Sequence, residues 1–421
     1  MKQYPFPDSR IWKIGFGTFL FLLLLLARDT LVTSCLLGFN KSQFLMLGLI
    51  AAAGIVFLIY NFRNLKQILL DKRVLAVILS TVILLLPMLA KRDWQLMYFS
   101  ILLCLYTAIF LTYFISYRDA ARVYVVILAA LGLYSVIATY LLRILPDSGI
   151  LAVPTFVNSK AREFYNFGLA YVSIWEVKGR NFGIFREPGV YQFFLMLGLF
   201  LNNYTLQWKK TWQLWLVNIL LALTMLTTFA TGGVIEMGLF AVVLFFEKQW
   251  YKDKRARTIA IVLVIAMVIA LAVVLLQGGL LAYELMGMVE KLFSSTESSS
   301  TRMDAIFTDI RIFLHNPIFG EKLAAVLHAV DHNTTSTMVL YAVFGVLGGT
   351  LNVAAWVALV WEKDRKLWAN LALLVILFMS FNTQNLTADV FFWLFPFMAL
   401  VERGLPLLNR KRTVLRWTGK H

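Results

Sequence analysis

Three clusters of polar residues interrupt an otherwise apolar chain, and each is built of groups that handle anions or protons. The stretch Arg180-Asn181-Phe182-Gly183-Ile184-Phe185-Arg186-Glu187-Pro188 sets two guanidinium groups and a carboxylate close together. A guanidinium is planar, always charged, and grips phosphate through parallel hydrogen bonds. Pro188 suits a first helical position, and Glu187 before it faces the positive end of that helix. A second cluster, Ser300-Thr301-Arg302, opens a stretch in which Met303, Ile306, Phe307, Ile310 and Leu314 recur at helical spacing, with Arg311 near its far end. Thr301 and Asp304 form a capping-box-like start and Asn316-Pro317 a stop. On that reading Arg302 stands in the first turn, where the macrodipole disfavours a cation. An anion held jointly by Arg302 and the first-turn amides would account for it. The third cluster is Asp331-His332-Asn333, whose imidazole can exchange a proton near neutral pH.

Each cluster also has a plainer reading. Arginines at a helix mouth anchor it at the membrane interface, Arg311 complements a helix carboxyl end, and a boundary histidine packs or caps. Thr231-Gly232-Gly233 reads as a tight turn with Glu236 one turn inside the next helix, where an acid marks a packing ion pair or a polar cavity. Asn382-Thr383-Gln384-Asn385 reads as a sugar contact or a solvated turn. Cys35 and Cys104 have no metal or disulfide spacing and are expected to pack. The sequence carries no phosphate-binding Gly-Lys loop, no dinucleotide glycine fingerprint and no paired-histidine metal spacing. No cofactor or metal is therefore expected.

The elements that must position these clusters follow from composition. Of 421 residues, 60% are hydrophobic and 15% charged, and the mean hydropathy is +0.76, more apolar surface than one soluble core can bury. The net charge of +16 does not point to nucleic acid, because the basic residues sit between apolar runs. About twelve runs approach the length needed to cross a bilayer as helix: 14–27, 42–60, 74–90, 94–115, 123–145, 188–206, 213–231, 233–247, 258–277, 334–361, 367–382 and 387–402. The first follows Lys2, Arg10 and Lys13 without a small-residue cleavage site and reads as a retained span. With the amino terminus inside, 25 of the 39 lysines and arginines fall on cytoplasmic segments, ending in Arg410-Lys411-Arg412. The expected architecture is one all-α polytopic transmembrane domain over 1–421 with both termini cytoplasmic. Two long outer connections, 143–187 and 278–333, hold the arginine-rich element and the amphipathic helix.

In order and spacing these elements resemble the O-antigen polymerase and ligase superfamily. Its members share an R-x-x-G-x-F-x-E-P-like element, an arginine-bearing Ser/Thr-led helix ending in F-x-x-x-P-x-x-G, and an H-N pair opening a later span. Here they read as Arg180 to Pro188, Ser300-Thr301-Arg302 through Phe313, Pro317 and Gly320, and His332-Asn333. The resemblance covers roughly 180–350. It implies a GT-C-like transferase in the bacterial inner membrane, active on the outer face and without a metal, that takes a glycan from undecaprenyl diphosphate. Polymerases of this kind pass the growing chain to a new lipid-linked repeat unit, and ligases pass it to lipid A core. The Phe185-Arg186-Glu187-Pro188 form and modest outer loops look more like a polymerase of O-antigen, capsule or exopolysaccharide. Thr334-Thr335-Ser336 after the H-N pair departs from the ligase pattern, and Glu321 stands where tidier versions have a second glycine. The implied roles are diphosphate binding for Arg180, Arg186, Arg302 and Arg311, activation of the acceptor hydroxyl for His332 and Glu187, and substrate contact for Asn333. Expected partners are lipid-linked oligosaccharide, membrane lipid and a chain-length-regulating membrane protein. The alternatives are a ligase, or a lipid-linked oligosaccharide flippase or transporter; a transporter predicts charges through the midplane and an internal repeat, and neither is evident.

Overall fold

The computed structural model describes residues 10–27, 30–157, 162–174, 179–279, 282–283, 285–287, 290, 297–330 and 333–417. The chain is 75% helix and 3% strand, and each of the twelve apolar runs contains a helix. Among the described residues, four helices are long and apolar enough to cross a membrane: Lys41–Leu69, Arg73–Lys91, Tyr117–Asp147 and Thr337–Val360. Others, such as Leu96–Leu111 and Thr211–Thr227, are apolar but shorter.

Their surfaces read as lipid-facing. Arg73–Lys91 buries one stripe, through Ser80, Leu84, Pro87 and Met88. The opposite stripe of Leu75, Ile78, Leu79, Val82, Leu86 and Leu89 is exposed. A contiguous aliphatic face of that kind is costly in water and at no cost in hydrocarbon.

The chain divides into two compact units. The first gathers Met1–Tyr124, Thr301–Trp361 and Gln384–His421. Its core is Leu96–Leu111, packed against the carboxyl-terminal helix Val390–Trp417, which in turn packs on Thr337–Val360. Asp389 starts the carboxyl-terminal helix by accepting the amide of Phe391 at 2.8 Å. Trp393, Phe391 and Leu105 are fully buried, as is Cys104, in the packing role expected of it. Cys35 has no described side chain.

The second unit comprises Val125–Ser300 and Glu362–Thr383. Its core is Pro188–Tyr204, buried along nearly its whole length among Thr211–Thr227, Thr231–Glu247 and Leu367–Phe381. The long connection before it holds a small antiparallel sheet that sequence periodicity did not announce: β1 Thr155–Val157, β2 Glu163–Asn166 and β3 Tyr171–Ser173, in that order. Phe164 anchors the sheet, stacked on Phe156 at 5.5 Å and edge-on to Phe182 at 5.2 Å.

Two local expectations are corrected. The helix expected to begin at Thr301 spans Glu297–His315, so Arg302 stands in its second turn, where the amides are committed to the helical ladder. Arg302 therefore meets no first-turn penalty, and no anion is needed to account for it. The helix does stop before Asn316-Pro317. On its apolar stripe Met303, Phe307 and Leu314 are exposed, while Ala305 and Asp309 are buried. In a chain bathed in lipid, an aliphatic stripe need not point at the protein core. Thr231-Gly232-Gly233 is the first turn of a helix instead of a connecting turn, which is made by Thr228 to Ala230 with Phe229 at positive φ. The glycines make room for Gln192, whose Cγ would lie 2.7 Å from a Cβ on Gly233.

Candidate functional site

The arginine-rich element lies in the second unit as a rigid strap leading into the helix Pro188–Tyr204. Asn181, fully buried, holds its start: its amide nitrogen donates to Ser135 at 2.9 Å and Thr227 at 3.1 Å, and its Oδ1 accepts the amide of Gly183 at 2.9 Å. The Gly183 carbonyl accepts the amide of Tyr171 at 2.9 Å, tying the strap to β3. Gly183 has a φ of 55° and presses on Tyr191, whose ring would lie 2.6 Å from a Cβ there, so both conformation and space demand glycine. Pro188 occupies the first helical position as expected, and the Glu187 carbonyl begins the ladder. Between these anchors Arg180, Arg186 and Glu187 remain partly exposed. Beneath them, Gln192 donates to buried Glu236 at 2.8 Å.

The first unit holds the other two elements. On the helix Glu297–His315, Arg302 shares the inward face with Ala305 and Asp309, two turns apart, whereas Arg311 is exposed. Asp309 is fully buried and accepts hydrogen bonds from Asn333 Nδ2 at 2.8 Å and from the Thr335 hydroxyl. Asn333 Oδ1 in turn accepts the Thr335 amide at 3.0 Å. Burial pushes the Asp309 carboxyl up to about 6, against the opposing pull of the Thr335 and Asn333 hydrogen bonds. The buried polar run continues through Ser336, which donates to the Gln384 carbonyl at 2.6 Å and accepts the Leu386 amide at 2.9 Å. His332 lies outside the described residues.

The segment after this helix explains the F-x-x-x-P-x-x-G spacing. The helix Thr337–Val360 is broken at Gly345, with φ 64° and ψ −161°. Asn316 to Glu321 fit into the break: the Val346 amide donates to the Pro317 carbonyl at 2.8 Å, and the Glu321 amide to the Ala342 carbonyl at 2.7 Å. Gly320 runs so close that a Cβ would lie 2.5 Å from the Ala342 carbonyl oxygen. The Lys91 ammonium closes the gap, donating to the carbonyls of Val343 and, at 2.9 Å, Glu321. Beside it Asp93 accepts the Tyr98 hydroxyl at 2.6 Å and the Leu323 amide at 2.8 Å. Burial raises the Asp93 carboxyl, but these donors and the Lys91 charge outweigh it and hold the group below the usual range. The break thus finds partners for the Ala342 and Val343 carbonyls and for the Val346 amide.

Arg180, Arg186 and Glu187 therefore share one strap, and Asn333 is joined to the Arg302-bearing helix. Gln384 offers its backbone to Ser336, and Asn385 bonds Thr387 at 2.7 Å. Sequence reading passed over Asn181, Lys91, Asp93 and Asp309. The chain matches no known protein family, no curated protein and no solved structure.

Proposed function

We propose that this protein polymerises bacterial surface polysaccharide, O-antigen, capsule or exopolysaccharide, by transferring a growing glycan from undecaprenyl diphosphate to a new lipid-linked repeat unit. It does so as a GT-C-like enzyme of twelve spans in the inner membrane, with both termini cytoplasmic and its chemistry on the outer face. The observation that carries this reading is the Asn333–Asp309 hydrogen bond, which joins two of the three elements of the resemblance across 24 residues of chain.

An acceptor hydroxyl oxygen attacks the anomeric carbon as the bond to diphosphate breaks, and the bonding pair leaves with undecaprenyl diphosphate. Negative charge grows on that leaving group, and fixed guanidinium groups stabilise it; two unit charges 4 Å apart interact by about 4 kcal/mol at an effective dielectric of 20. Arg180, Arg186 and Arg302 are assigned to this role. His332 and Glu187 are assigned to receive the acceptor proton. Diphosphate leaves readily, so the reaction requires no general acid.

The test is purified protein in a bilayer with one defined undecaprenyl diphosphate repeat unit. A ladder of products spaced by one repeat, with release of undecaprenyl diphosphate, is expected. Movement of the unit between leaflets without new bonds would replace this reading with a transporter, and transfer only to lipid A core would replace it with a ligase.

A further inference from the structure

Asp309 is a costly residue to keep where it is. A carboxylate with no solvent exposure loses its hydration, and two hydrogen bonds only partly offset that loss. Helix stability gains nothing from it, because it stands in the fourth turn of Glu297–His315, away from the amino end. Its geometry is nonetheless specific. Both oxygens are engaged, one by Asn333 and one by Thr335, while Asn333 Oδ1 turns back to the Thr335 amide. The result is a closed ring of hydrogen bonds around residues 333–335. That turn directly follows His332 in the chain and directly precedes the helix beginning at Thr337. A surface turn would need no such ring.

We propose that Asp309 is the positioning residue of the transfer reaction: by gripping Asn333 and Thr335 it fixes the turn that carries Asn333 and sets it against the helix that bears Arg302. The inference rests on the polymerase reading given above. Asp309 does not itself meet substrate, being closed off from solvent; it acts through Asn333. A turn released by even 1 Å from a reactive geometry can cost roughly 100-fold in rate. Substrate affinity, supplied elsewhere along a long lipid-linked glycan, should hardly change.

The experiment combines Asp309→Ala, Asp309→Asn, Asn333→Ala and the double variant Asp309→Ala/Asn333→Ala, assayed for ladder formation with kcat and KM separated. Expected are a fall in kcat of roughly 100-fold for Asp309→Ala with KM changed less than about twofold, and a double variant no worse than the worse single one. Asp309→Asn keeps one acceptor and the volume, and should recover most of the lost rate. Hydrogen exchange of residues 333–336, read on the same samples, should quicken in Asp309→Ala and return toward normal in Asp309→Asn. An unaltered kcat in Asp309→Ala, effects that multiply with those of Asn333→Ala, or unchanged exchange at 333–336 would overturn the proposal. If wild-type protein forms no ladder, the polymerase reading fails, and the exchange measurement still decides whether Asp309 fixes the turn.

Discussion

Gly345 meets Ile318 backbone against backbone: a Cβ placed on Gly345 would overlap the Ile318 carbonyl. Gly345 also adopts a φ of 64°, which side chains rarely accept. Gly345→Ala should therefore cost roughly 3 kcal/mol or more and sharply lower the yield of folded protein. Gly238→Ala is the control, since nothing lies within 4 Å of its Cβ position, and it should be neutral or slightly stabilising. Thermal unfolding in detergent compares the two directly.

Lys91→Met should loosen the same junction. It removes the ammonium that serves the Val343 and Glu321 carbonyls while keeping most of the aliphatic stem. Charged hydrogen bonds contribute about 1.5–3 kcal/mol each, so a clear fall in melting temperature is expected. Faster hydrogen exchange should appear at Gly320–Leu323, and no change there would mean that backbone contacts alone hold the break.

Asp309 and Asp93 should give opposite pH dependences. Asp309 is raised from 3.8 to about 6, so the unfolded chain ionises first; its stabilising effect is complete below about pH 4 and lost as pH rises through 6. Asp93 is held below 3.8, so its contribution is present above that pH and lost as pH falls through its folded value. Relative to wild type, Asp309→Asn should gain melting temperature between pH 4 and 7. Asp93→Asn should lose it at neutral pH and close the gap in acid. Parallel curves for both variants would contradict these assignments.

The arginines should sort by where they stand. Arg180→Ala, Arg186→Ala and Arg302→Ala should each cut ladder formation by roughly 100-fold, the effect expected when a fixed charge is removed from a developing anion. Arg311→Ala, on the exposed side of its helix, should cost far less, under about tenfold. Equal losses at all four would point to a diffuse electrostatic role.

Helices were legible because each apolar run is long, and length alone separates helix from strand. The strands β1 to β3 were not, since three or four residues cannot establish alternation and Phe156, Phe164 and Tyr171 read equally well as loop aromatics. The arginine strap was visible from residue types, but Asn181, which holds it, looked like a spacer. Asp309 was hidden for a related reason: a single acid on an amphipathic helix normally faces water, and only its distant partner Asn333 gives it another meaning. The exposed stripe of that helix shows the limit of the pattern, because periodicity locates a stripe without saying which solvent it meets.

The first unit draws on three stretches of chain separated by the second. Cys104 donates to the Ala388 carbonyl across 284 residues, and the Tyr117 amide to Glu402 across 285. During synthesis, Leu96–Leu111 therefore leaves the ribosome long before Val390–Trp417 exists to cover it. Contacts of such sequence separation form slowly. The nascent chain must keep that early segment solvated by lipid or sheltered by the insertion machinery through most of its translation, so a ribosome stalled before the final helix would leave the first half of the protein inserted and unfinished.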